Sequence, residues 1–297
     1  MNRKRIWVLP CLILWLALLP AVAEDAFFNS GGVKLHYTVQ GKGEPVILVH
    51  GYAANIQMNW AAVLPGLAQS YRVIALDNRG HGLSEKPATP EDYGIKFVDD
   101  VLALMDHLSI KKAHVVGYSM GGFITDKLLT THPDRLVTAT LGGAGWMKTD
   151  DDRAGFEALA QSLEQGKGLG PLFVFLTPKG EAPPTEERIQ GINQMMLTFN
   201  DPKALAAVAR SFPALAVTEA QLRSNKIPVL AIIGEKDPLK DGVDKLEGVM
   251  SNLKIEVIEG ANHMSAFASP KFLSTLKSFL AEHPAEASKK AAAAGSK

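Results

Sequence analysis

Residues Val115 to Ile124 read VVGYSMGGFI, and the fold turns on how they are read. Two β-branched residues run into Gly-x-Ser-x-Gly, a further glycine follows, and the sequence becomes apolar again. Gly117 and Gly121 stand two residues either side of Ser119. A backbone bent this tightly leaves no room for side chains at the flanking positions, and it lifts the central hydroxyl out of the turn. The run before Ser119 fits a strand and the pattern after it fits a helix. The helix N-terminus then directs N–H groups and positive dipole toward the serine.

The surroundings give this short motif its weight. VILVH (46–50), RVIALD (72–77), AHVVGYS (113–119), LVTATLGG (136–143), PVLAIIGE (228–235) and KIEVIEG (254–260) are more continuously apolar than an alternating strand, as strands buried on both faces of a parallel sheet are. VKLHYTV (33–39) alternates, like a half-buried antiparallel strand. Between these runs, Ile95, Val98, Leu102, Met105 and Leu108 form a helical stripe, and further helices are expected near 243–250 and 270–282. Strand–helix alternation of this kind predicts an α/β chain with right-handed crossovers. The rhythm breaks from Trp146 to about Asn225. Helical patches there (156–165, 187–197, 202–212) flank a Pro/Gly-rich link (177–185), which predicts a helical cap over residues 146–225. The alternative is a set of peripheral helices.

Serine is a poor nucleophile without a base, and the base needs an orienting acid. At an elbow of this type they follow in the chain order serine, acid, histidine. Eight histidines are present. Of the two late ones, His283 lies in AEHPAE at the start of the tail and reads as solvated. His263, in the loop after the last expected strand, is the candidate base. For the acid, Asp237 in GEKDP ends the preceding strand, and Pro238 fixes its turn. Glu235, Asp241 and Asp244 compete. The oxyanion donors expected are the backbone N–H groups of Met120, after the nucleophile, and of Tyr52 in VILVHGYAAN, with Ala53 as its neighbour. His50 is expected to shape that loop.

Hydrophobic residues make up 46% and charged residues 21% of the 297, ordinary for a packed protein. Arg3, Lys4 and Arg5, an apolar run from Ile6 to Leu19, and Ala21-Val22-Ala23 read as a cleaved signal peptide over 1–23 rather than an anchor. Export to the periplasm or outside the cell, with no stable membrane insertion after cleavage, is the expectation. The single Cys11 lies in that segment. Basic and acidic residues number 31 each. Removing the signal takes three basic residues and leaves a net charge of about −3, with no basic stripe for nucleic acid. No Walker sequence, dinucleotide fingerprint or paired-histidine zinc helix occurs, so no cofactor and no metal are expected. The partner expected is a small-molecule substrate. Residues 284–297 are low in complexity and read as a disordered tail.

HGYAANIQMNW, DNRGHGLSEKP, GYSMGG, GEKDP and GANH together, in this order, resemble the α/β-hydrolase family, in its cap-bearing epoxide-hydrolase- and haloperoxidase-like branch. The resemblance implies a mostly parallel eight-stranded sheet flanked by helices, formed by residues 24–145 and 226–283, with the cap inserted after the sixth strand. It also implies that Asp77, Arg79, Gly80 and His81 build a structural turn near the site. Haloalkane dehalogenases and epoxide hydrolases carry an aspartate nucleophile, and the serine here argues against both. It is compatible with ester, lactone or thioester hydrolysis, with carbon–carbon bond hydrolysis, and with cofactor-free haloperoxidase or perhydrolase activity. A binding protein that keeps the triad is the reading from another class. Phe156, Phe173, Phe175, Met195, Met196 and Phe199 either line an apolar pocket or pack the cap onto the sheet.

Overall fold

Each of the apolar runs becomes a strand. In the computed structural model, which describes residues 24–148 and 153–285, the strands are β1 (Glu24–Ser30), β2 (Val33–Gln40), β3 (Pro45–Val49), β4 (Arg72–Leu76), β5 (Ala113–Tyr118), β6 (Leu136–Gly142), β7 (Val229–Gly234) and β8 (Leu253–Ile258). They form one sheet in the order β1-β2-β4-β3-β5-β6-β7-β8. β2 is antiparallel to β1 and β4, and the remaining pairs are parallel. The helices are α1 (Ile56–Trp60), α2 (Leu64–Leu67), α3 (Lys96–His107), α4 (Met120–Thr131), α5 (Arg153–Glu164), α6 (Gly170–Phe175), α7 (Glu186–Met196), α8 (Pro202–Ser211), α9 (Glu219–Ser224), α10 (Lys240–Asp244) and α11 (Pro270–Glu282).

Successive side chains of a strand point to opposite faces, and the core divides accordingly. Val46, Leu48, Val73, Ala75 and Val116 pack against Trp60, Leu67, Phe272 and Phe279 of α1, α2 and α11. Ile47, Val49, Ile74, Leu76 and Val115 pack on the other face against Phe97, Leu104, Ile124 and Leu128 of α3 and α4. Helices on both faces of a parallel sheet leave the loops at its carboxyl edge free to build a site.

Several expectations are corrected. β8, read as buried on both faces, is an edge strand in which only Ile258 is buried. The β1 strand, EDAFFNS, escapes the sequence reading because its alternation is weak. It is held as an edge strand by β2 through a turn in which Gly31 and Gly32 both have positive φ (58° and 92°). β2 is buried at four successive residues, Leu35 to Thr38, rather than on one face, because His36 turns toward Asp77 and Leu35 and Tyr37 join the core. The stripe on α3 is rotated. Its buried residues are Phe97, Val98, Asp100, Val101, Leu104 and Met105, whereas Ile95 is exposed. Asp100 disguised that face as polar.

Between β6 and β7 the chain runs through α5 to α9, and α5 packs on α8 and α6. The segment expected as a signal peptide (1–23) lies outside the described residues, as do residues 286–297 of the expected tail. His283 is half-buried rather than solvated. Its Nδ1 is 2.8 Å from the Phe279 carbonyl, at the end of α11. No helix among the described residues is long and apolar enough to cross a membrane.

Candidate active site

Ser119 sits between β5 and α4 with φ 53° and ψ −119°. A non-glycine residue held there costs about 1–3 kcal/mol. The glycines on either side are steric requirements. A Cβ at Gly117 would stand 1.9 Å from the Gly121 carbonyl oxygen, and one at Gly121 would stand 2.0 Å from the Val49 carbonyl oxygen. The bend is held by the Ser119 N–H, which donates to the Gly142 carbonyl at 2.8 Å, and by the Ser119 carbonyl, which accepts from Gly122 N–H at 2.8 Å.

Asp237 follows β7. One of its carboxylate oxygens accepts the Leu239 N–H at 2.9 Å and the other lies 2.8 Å from His263 Nδ1. An ionised carboxylate only accepts, so Nδ1 carries the proton and Nε2 presents its lone pair. That nitrogen is 3.0 Å from Ser119 Oγ. The imidazole is further located by the Tyr118 hydroxyl, which donates to the His263 carbonyl at 2.6 Å. Asp237 and His263 are 4% and 3% exposed, so water does not compete for these bonds. The rival acids are engaged elsewhere. Glu235 accepts from Gly260 N–H, Asp241 pairs with Lys179, and Asp244 pairs with Lys240.

The loop after β3 forms the third wall. His50 Nδ1–H donates to the Gly51 carbonyl at 2.7 Å, and its Nε2 accepts the Asn78 N–H at 3.0 Å. Complete burial lowers the His50 pKa, so the ring is a neutral strut, as expected of it. Gly51 N–H donates to Asn59 Oδ1 at 2.8 Å. Ala53 is held at φ 56°. The N–H groups of Tyr52 and Met120 make no hydrogen bond to protein among the described residues. Both residues are buried, and buried amides without a partner are uncommon, so both are available to a ligand.

The turn from Asp77 to His81 is structural, as the resemblance implied. Asp77 accepts from Ile56 N–H, Leu83 N–H and His36. The Arg79 guanidinium forks onto Asp100 at 2.5 and 2.6 Å. Burial pushes the His81 pKa down to about 3, which removes it as a base.

Ser119 lies between two cavities. The larger, about 350 Å³, is lined by Met120, Phe123, Trp146, Phe156, Leu159 and Phe212, among others. The smaller, about 80 Å³, is lined by Met58, Tyr118, His263, Met264 and Phe267, with Phe173 and Met196 closing it from the cap. Phe156 and Phe175 therefore line the larger cavity, Phe199 packs into the core, and Met195 is exposed. The Tyr52 ring borders both cavities, and its hydroxyl donates to the Leu205 carbonyl of α8 at 2.8 Å.

Two site residues were not legible in the sequence. Tyr118 looked like an ordinary strand residue. Asn200, from the cap, donates through Nδ2 to the Ala53 carbonyl at 2.9 Å, across 147 residues of chain, and no local signal marks it. No group of three His, Cys, Asp or Glu among the described residues could hold a metal ion.

A 2-hydroxymuconate semialdehyde hydrolase of Pseudomonas sp. strain CF600 is 26% identical over 275 residues, spanning 87% of this chain and 94% of that protein. A 3-oxoadipate enol-lactonase of Acinetobacter baylyi is 27% identical over 261 residues, spanning 85% and 95%. The crystal structure of the enol-lactonase from Burkholderia xenovorans LB400 superposes with a TM-score of 0.72 at 25% identity, over 86% of this chain and all of that one. With the alpha/beta hydrolase fold model matching residues 44–270, through both the strands and the loops that carry the site, the chain belongs to the α/β-hydrolase family.

Proposed function

We propose that the protein is a serine hydrolase that cleaves a small ester-like substrate through an acyl-enzyme. The observation that carries the reading is the unbroken chain Asp237–His263–Ser119, at 2.8 and 3.0 Å, beside two unpaired N–H groups. His263 Nε2 takes the Ser119 proton as Oγ attacks the carbonyl carbon. The oxyanion forms against the N–H groups of Tyr52 and Met120. His263, now an imidazolium held by Asp237, returns the proton to the leaving group, and the carbon–leaving-group bond breaks. Water, deprotonated by His263, then releases the acid and frees Ser119.

This proton path assigns the two cavities. The leaving group must face the imidazole, so it occupies the small cavity lined by His263, and the acyl part occupies the large apolar one. Short alcohols on broad apolar acyl groups are the expected fit. The same geometry serves a lactone, whose leaving oxygen is tethered to the acyl chain. It also serves carbon–carbon hydrolysis, in which the proton goes to a leaving carbon. Likeness over nearly the whole chain to an enol-lactonase and to a semialdehyde hydrolase favours these as the second reading. Export through the N-terminal segment is part of the proposal and rests on the signal-like pattern of residues 1–23.

A fluorophosphonate probe separates a reactive serine from an idle one. The native protein is expected to be labelled at Ser119, and Ser119→Ala and His263→Ala each to lose about four to six orders of magnitude in kcat without adding in the double variant. Native protein that stays unlabelled would make this a ligand-binding member of the fold.

A further inference from the structure

The large cavity beside Ser119 is mostly apolar, and one charged side chain among its described residues lines it, Lys245. Lys245 caps the C-terminal end of α10, the short helix that follows Asp237. The Lys148 ammonium lies over the Trp146 ring at 4.6 Å, and three nearby lysines are paired with carboxylates. Lys179 lies 2.8 Å from Asp241, Lys236 lies 3.6 Å from Glu181, and Lys240 lies 2.8 Å from Asp244. The Lys245 ammonium has no ion pair or hydrogen bond among the described residues. Asp241, the carboxylate whose pKa it helps to lower, gives its oxygen to Lys179 instead. An unpaired cation at the wall of an apolar slot is a recognition element for a negative charge, and no described acidic side chain lines the slot to compete with it.

We propose that Lys245 binds an anionic terminus on the acyl part of the substrate, so that the preferred substrates are carboxylate-ended acyl esters or lactones, with the apolar stretch between the scissile carbonyl and the carboxylate packed against Trp146, Phe156, Leu159 and Leu239. This rests on the assignment of the acyl group to the large cavity. The acyl chain lies extended from Ser119 toward α10. Chain length sets whether the carboxylate reaches the ammonium, which gives the enzyme a preferred length rather than a simple preference for longer chains. Lys245 acts on the substrate and not on the triad.

The test compares half-methyl esters of straight dicarboxylic acids of graded length with methyl esters of neutral acids of the same length. In native protein, kcat/KM for the half-esters is expected to peak at one length and to fall with added salt, because the ammonium is exposed. Lys245→Met is expected to lose about tenfold in kcat/KM on the best half-ester, through KM, and nothing on the neutral esters, consistent with one charge-assisted hydrogen bond. Lys245→Glu is expected to lose more on the half-esters alone. Equal effects on both ester series, or none, overturn the proposal. A parallel calorimetric titration with the free monocarboxylates, on native protein and Lys245→Met, reads recognition without turnover. Binding that depends on Lys245 in a protein that hydrolyses no ester would refute the Ser119 reading and leave the anion site standing. Binding indifferent to Lys245 would refute the anion site whatever the hydrolysis shows.

Discussion

Replacing Asn200 by leucine tests how the cap and the catalytic loop are joined. Asn200 is 6% exposed, and its Nδ2 donates to the carbonyls of Ala53 and Met196, each at 2.9 Å. Leucine keeps the volume and removes both donors. A buried carbonyl left without a partner costs about 1–3 kcal/mol. The Ala53 conformation, at φ 56°, itself costs about 1–2 kcal/mol, and the Asn200 bond helps to hold it. Without that bond the peptide can relax toward negative φ, which turns the neighbouring Tyr52 N–H away from the oxyanion. Removing such a donor entirely costs about 10²- to 10³-fold in kcat. A donor displaced rather than deleted should cost about 10- to 100-fold, with KM little changed. Urea unfolding at constant m-value would give the stability term, and steady-state hydrolysis of a methyl ester the catalytic one. Fluorophosphonate labelling would slow in parallel. If stability falls as expected while kcat stays at the native value, the loop is held by the Gly51–Asn59 and Tyr52–Leu205 bonds alone, and the coupling argument is wrong.

Two further outcomes follow from buried charge. Arg79→Met leaves Asp100, 1% exposed, without its guanidinium; a loss of about 3–5 kcal/mol in denaturant unfolding is expected, and Arg79→Met with Asp100→Leu should recover much of it. Asp126, on α4, has a buried Oδ1 without a partner, and burial pushes its carboxyl up to about 7. The unfolded chain ionises this group near 4, while the native state keeps the proton to about 7. Its contribution to stability is therefore present at low pH and lost as pH rises from about 4 to 7. Asp126→Asn should flatten that decline and gain a few kcal/mol over the native protein at pH 8, and parallel pH–stability curves for the two proteins would contradict the assignment.

The sequence by itself determined the parts of this protein that local chemistry controls. Apolar runs such as VILV (46–49) and VVGY (115–118), bounded by turn residues and alternating with helical patterns, fit central strands of a covered sheet. Gly117 and Gly121 announce the bend at Ser119, because nothing larger fits against the Gly121 and Val49 carbonyls. Chain order and loop position then pick out Asp237 and His263. What the tertiary structure decided involves partners far apart in the chain. The face buried by α3 depends on Asp100 meeting Arg79. The edge strand β1 exists because β2 pairs with it. Asn200 bonds Ala53 across 147 residues, and Lys245 lines the large cavity only because α10 packs beside β7. Hydrophobic periodicity and turn sterics are written within about ten residues, whereas the satisfaction of a buried polar group belongs to whichever distant segment the fold brings to it.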